Sequence, residues 1–118
     1  MPKPTPKILL VVDSDPRASA RPAEAMRLAV GLGAWKNIEL QLYFAGDALL
    51  AFDESVEVCD GEIIRRCLPL LTEVDSPLLV TPGGKPFVQR ASAPVFCREL
   101  DAAAIAAIAA ESHCVLRF

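Results

Sequence analysis

Five consecutive apolar residues, Ile8 to Val12, follow Lys7 and stop at Asp13-Ser14-Asp15-Pro16. A run this short, bounded by turn formers, predicts a strand. Because no polar residue interrupts it, both faces of that strand must be covered. Strands of that kind belong to parallel sheets with helices on each side. This one segment therefore selects an α/β chain over an all-helical or all-β one.

The rest of the chain keeps to that plan. From Pro22 to about Trp35, apolar residues recur at Ala25, Leu28, Ala29 and Leu32 and at Met26 and Val30, which predicts a helix with a broad buried face. Pro22 suits its first turn, and Gly31 and Gly33 weaken its end. Ile38 to Phe44 alternates, with Ile38, Leu40, Leu42 and Phe44 on one face and Glu39, Gln41 and Tyr43 on the other. That predicts a strand buried on one side at least and placed near a sheet edge.

Ala48 to Phe52 is a short apolar segment, and Val56 to Cys59 is a short extension within a loop. Asp60 to Thr72 predicts a second helix, with Pro69 kinking it or starting a new turn. Leu78 to Val80 is a third strand. Lys85 to Phe96 carries Pro86 and Pro94 and has no clear period. Leu100 to Glu111 predicts an alanine-rich helix capped by Asp101, and Ser112 to Phe118 a closing strand. Alternating strands and helices argue a parallel sheet with helices on both faces. Residues 1–6 hold three prolines and read as a loose tail, and residues 7–118 as one domain.

Ligands of open parallel sheets sit at the carboxyl ends of the strands. Here that edge would be built from Asp13, from Gly46 and Asp47, and from Thr81, Gly83, Gly84 and Lys85. These are the candidate ligand-binding residues. The Gly83-Gly84-Lys85 amides offer a concavity for an anion, against the alternative of a plain turn. Asp13-Ser14-Asp15 has the D-x-D form of phosphoryl-transfer sites. The first strand, Thr81 and Lys85-Pro86-Phe87 resemble parts of response-regulator receivers, but only three residues separate Thr81 from Lys85, too few for the helix and strand a receiver needs there.

Net charge is −3, from 12 basic and 15 acidic residues, without a basic run. No nucleic-acid partner is expected. No apolar stretch reaches the length of a membrane span, and the amino-terminal run is too short for a secretory signal, so a cytoplasmic chain with free thiols is expected. Mean hydropathy of +0.35 is high for a small monomer and points to apolar surface buried between subunits.

The cysteines, Cys59, Cys67, Cys97 and Cys114, form no metal-ligand pattern, and neither a metal nor a cofactor is expected. Cys67 and Cys114 are expected to be buried as small hydrophobes. Asp60 beside Cys59 disfavours its thiolate. Cys97 is placed in a loop beside Arg98 and ahead of a helix, where a cation and a helix dipole would favour thiolate, which makes it the candidate catalytic residue. His113 flanks Cys114 in a strand, so their side chains point apart.

Three stretches resemble the DsrE/DsrF-like family of small sulfur-relay proteins. They are the helix AEAMRLAVGLGA after the first strand, the strand running into Phe44-Ala45-Gly46-Asp47-Ala48, and the last helix leading into His113-Cys114-Val115-Leu116-Arg117-Phe118. The resemblance implies a three-layer α/β/α sandwich with a mainly parallel sheet of about five strands. It also implies a homotrimer or hexamer and a protein partner in an intracellular sulfur relay. Sulfur-transferring members carry a persulfide cysteine after the middle strand. That place falls at Val80 to Pro82 here, and Thr81 cannot form a persulfide. A non-catalytic binding or assembly role is therefore expected, with sulfur transfer through a relocated Cys97 as the alternative.

Overall fold

The computed structural model of the 118-residue chain describes residues 5–33, 37–72 and 77–118. Strands and helices alternate along it. They are β1 (Lys7–Val12), α1 (Arg21–Gly33), β2 (Glu39–Phe44), a 3₁₀ helix (Gly46–Phe52), α2 (Gly61–Leu71), β3 (Leu78–Val80), α3 (Lys85–Gln89), β4 (Cys97–Glu99), α4 (Ala102–Glu111) and β5 (Cys114–Arg117). The expected helix end at Trp35, the tail residues 1–4 and Ser76 lie outside the described residues.

All pairings are parallel, in the order β4-β3-β2-β1-β5. The chain steps outward from β1 to β4, then crosses back through α4 to place β5 on the far side of β1. Side-chain alternation divides β1 between two layers. Leu10 and Val12 face the main core, with Ala25, Met26 and Ala29 of α1, Ile64, Leu68 and Leu71 of α2, and Val88 of α3. Leu9 faces the opposite side, where it joins Tyr43 and Leu79 beneath Ile105, Ile108 and Ala109 of α4. The uninterrupted apolar run is thus used on both faces, and the sheet is the middle of three layers.

The alternating strand β2 sits in the centre of the sheet, not near an edge. Its polar face is explained by the thinness of the second layer. Five strands about 4.8 Å apart span about 19 Å, roughly twice the diameter of one helix. Among the described residues α4 is the one helix over that face, so Glu39 stays exposed and Gln41 half-buried while Tyr43 is buried. α2 continues through Pro69 and ends two residues later, with Thr72 donating back to the Pro69 carbonyl. A proline this near the end breaks little, because the helix stops within a turn of it.

The unassigned stretch after Lys85 holds two short elements. Pro86 opens α3 at a position that tolerates a missing N–H, and Cys97–Glu99 is an edge strand. Asp101 caps α4 as expected, its carboxylate accepting from the Ala104 amide at 2.8 Å.

Phe44 and Phe52 anchor the main core, both buried, with ring centroids 4.9 Å apart. Phe44→Ala is expected to cost about 3–5 kcal/mol, read as a lower urea midpoint at unchanged slope. A change in slope instead would mean that the denatured or native ensemble had changed.

Candidate functional site

Each strand hands its successor loop to the carboxyl edge through one further backbone bond. The Ala45 amide donates to Val12 at 2.9 Å, Thr81 to Phe44 at 3.2 Å, Leu100 to Val80 at 2.9 Å and Phe118 to Val11 at 2.8 Å. Asp13, Gly46-Asp47 and Thr81 to Lys85 therefore all lie along one rim of the sheet, as the order of elements predicts. What their groups do there differs from residue to residue.

The Asp13 carboxylate accepts from Arg117 of β5, with Nε at 2.9 Å. The Asp13 and Ser14 amides both donate to the Phe118 carbonyl, at 3.2 and 3.3 Å. Asp15 turns the other way, to the Arg17 side chain and the Arg17 amide at 2.9 Å. The Arg17 side chain and then its backbone N–H hold the Asp15 carboxyl below the usual carboxylate range. The D-x-D pair thus splits between two arginines, one closing the β1–β5 seam and one fixing a loop. Among the described residues no group of three or more His, Cys, Asp or Glu side chains could hold a metal ion.

The glycine pair forms an anion-holding turn, and the chain's own Glu99 fills it. Glu99 Oε2 accepts from the Gly83 amide at 2.9 Å and the Lys85 amide at 3.1 Å. Gly83 has φ +88°, which a side chain would strain. At Gly84 a Cβ would stand 2.9 Å from Leu49 Cδ1, 3.0 Å from the Thr81 carbonyl and 3.1 Å from Val80 Cβ. The expected cradle is therefore a clamp joining the β3 turn to the end of β4. The amides of Gly83 and Lys85 are committed inside the fold. The exposed Asp47, the half-buried Thr81 and the exposed Lys85 bring side chains to the same rim.

Cys97 is not in a loop. It opens strand β4, is 6% exposed, and stands five residues before α4 begins. The helix-dipole argument for an activated thiolate falls with that placement. Burial pushes the Cys97 thiol up, against a smaller downward pull from Lys85. Cys67 is buried as expected, and burial raises it too. Cys114 is exposed, contrary to the expectation of burial, because β5 is an edge strand. Cys59 is half-buried, its amide donating to the Pro16 carbonyl at 2.7 Å. His113 lies at the opposite, amino-terminal rim, where its Nδ1 accepts from the Lys7 amide at 2.9 Å. That bond starts the β1–β5 ladder and leaves His113 away from the candidate rim.

Glu99 is the residue that sequence reasoning missed. Sixteen positions separate it from Gly83, and only the pairing of β3 with β4 brings them together.

The structure is similar to that of the ychN protein from E. coli, at 22% sequence identity and a TM-score of 0.74. The match covers 96% of this chain and 99% of that one. No protein-family model matches the chain, and no curated protein matches its sequence.

Three outcomes follow from this geometry. Iodoacetamide at neutral pH should leave Cys67 and Cys97 unmodified in the folded protein and modify both in urea. Rapid native labelling of Cys97 would contradict the burial. Glu99→Ala should lower the melting temperature more than Glu99→Gln, whose amide oxygen can still accept from the two N–H groups; equal melting temperatures for all three proteins would remove the clamp from the account. The depressed carboxyls of Asp15, Asp53 and Glu54, held by Arg17, Ser55 and Ser92, contribute stability above the ordinary carboxylate range. Thermal stability should therefore hold from neutral pH down to about pH 5 and fall below about pH 4 as these groups take up protons.

The chain carries a three-layer α/β/α sandwich with a five-stranded parallel sheet, the DsrE/F-type fold that its sequence resembles.

Proposed function

We propose that the chain is a DsrE/F-like protein that acts by binding and assembly in the cytoplasm, as a homotrimer or hexamer, and does not itself carry sulfur. One observation carries this reading. The outward face of α4 is a stripe of exposed alanines, Ala103, Ala106, Ala107 and Ala110, and no residue of the helix is fully buried. A helix of sequence AAAIAAIAAE has no polar face to give to water. Its small side chains let another backbone approach closely, as a subunit contact requires.

The thiols support the non-catalytic half of the reading. Thr81 occupies the place where the resemblance puts a persulfide cysteine, and Cys97 is closed off by burial. The carboxyl rim is then a surface for a protein partner, presenting Asp47, Thr81 and Lys85. A relay partner is the class that the resemblance implies.

Light scattering should give a mass that is a multiple of 12.7 kDa. Ala106→Arg should reduce that mass while the far-ultraviolet circular dichroism stays unchanged, since arginine is a good helix former. A strict monomer, or an Ala106→Arg protein with the parent mass, would contradict the reading. Incubation with a persulfide donor should leave Cys97 of the native protein without added sulfur.

A further inference from the structure

We propose that His113 is a pH-sensitive latch on the amino end of the β1–β5 seam, closed while its imidazole is neutral and released when the ring takes up a proton. The seam is tied differently at its two ends. At the carboxyl end the Phe118 amide donates to the Val11 carbonyl at 2.8 Å, the Asp13 and Ser14 amides donate to the Phe118 carbonyl, and Arg117 pairs with Asp13. An ordinary carboxylate–guanidinium pair keeps both charges between about pH 5 and pH 8. At the amino end the tie runs through the one histidine of the chain. The His113 amide donates to the Lys7 carbonyl at 2.8 Å, and the Lys7 amide donates back to His113 Nδ1 at 2.9 Å. Backbone and ring thus close a two-bond loop between β5 and β1.

The second of these bonds depends on protonation. A backbone N–H can only donate, and a ring nitrogen accepts only while it carries no proton. Nδ1 accepts here, so the neutral ring carries its proton on Nε2. In the imidazolium both nitrogens are donors. Two N–H groups would then face each other, and the ring has to turn away. The closed strand end therefore excludes a proton that the open end can bind. The latch holds above the ordinary imidazole range, near about pH 6.5, and is lost as the pH falls through it. No other side chain ordinarily changes charge in that interval.

The charges near this rim come from three elements. Lys7 of β1 pairs with Glu39 of β2 at 4.0 Å, and Glu111 ends α4 beside Ser112. The exposed Cys114 thiol follows His113 in β5. Lys7 opposes a second positive charge here, and Glu39 and Glu111 favour one. Among the described residues none of these side chains forms an ion pair or hydrogen bond with the ring.

The latch is local and needs no second chain, so it is independent of the assembly reading. Its loss cannot cost more than the opening of that strand end, and strand ends open at small free energy. The melting temperature therefore stays nearly flat over the interval in which the latch releases.

Residue-resolved amide exchange by nuclear magnetic resonance, expressed as protection relative to an unstructured chain, reads the latch at Lys7. Protection of the Lys7 amide should fall about tenfold between about pH 7.5 and about pH 5.5, while Leu10 and Leu42 in mid-sheet keep theirs. His113→Asn, whose side chain offers an oxygen that does not titrate, should abolish that pH dependence. In the parent protein at about pH 7.5, nitrogen shifts of the ring should show the Nε2–H tautomer. Lys7 protection that does not change with pH in the parent would overturn the latch. So would an equal fall in His113→Asn, or an Nδ1–H tautomer in the neutral ring.

Discussion

A parallel sheet has to be covered on both faces, and this chain meets that requirement unevenly. β1 commits its residues to both layers, Leu10 and Val12 to one and Leu9 to the other. On the first side, three α-helices and a 3₁₀ helix close a continuous apolar core. On the second side, among the described residues, a single ten-residue helix serves five strands. The polar residues of β2 and the exposed alanine stripe of α4 both follow from that shortage. Neither is a local accident. Each is where a second layer would need more material than one chain supplies.

The carboxyl rim illustrates how fold requirements can consume groups that look functional. Parallel strands deliver acids, glycines and a lysine to one edge, as in many ligand-binding α/β proteins. Here Arg117 takes Asp13, Arg17 takes Asp15, and Glu99 takes the Gly83 and Lys85 amides. These bonds tie β5 to β1 and the β3 turn to β4, the two seams where the sheet has its weakest coverage. Asp47, Thr81 and Lys85 are left to bring side chains to this rim, Asp47 and Lys85 exposed and Thr81 half-buried.

Periodicity made most of this fold legible. The apolar run of β1, the alternation of β2, the short β3 run and the three longer helices all have clear patterns, and Asp101 caps α4 where its residue type says it should. The elements that escaped are the 3₁₀ helix, the five-residue α3 and the three-residue β4, all too short to hold a period. Missing β4 also misplaced Cys97, because a cysteine read as loop gains an activation argument that a buried strand residue lacks. Position within the sheet was harder still. β2 reads like an edge strand because half of it is polar, and only the size of the opposite layer explains a half-polar strand at the centre. The Glu99 clamp needed tertiary pairing to be seen at all.

Hydrogen exchange of the α4 amides, Ala102–Glu111, followed against protein concentration, tests the central claim most directly. If another subunit completes the second layer, exchange should slow as concentration rises, and the slowing should centre on α4 while β2 and β3 stay protected throughout. Exchange at α4 that is equally fast at every concentration, in a particle of 12.7 kDa, would show that the thin layer stands alone and would contradict the account.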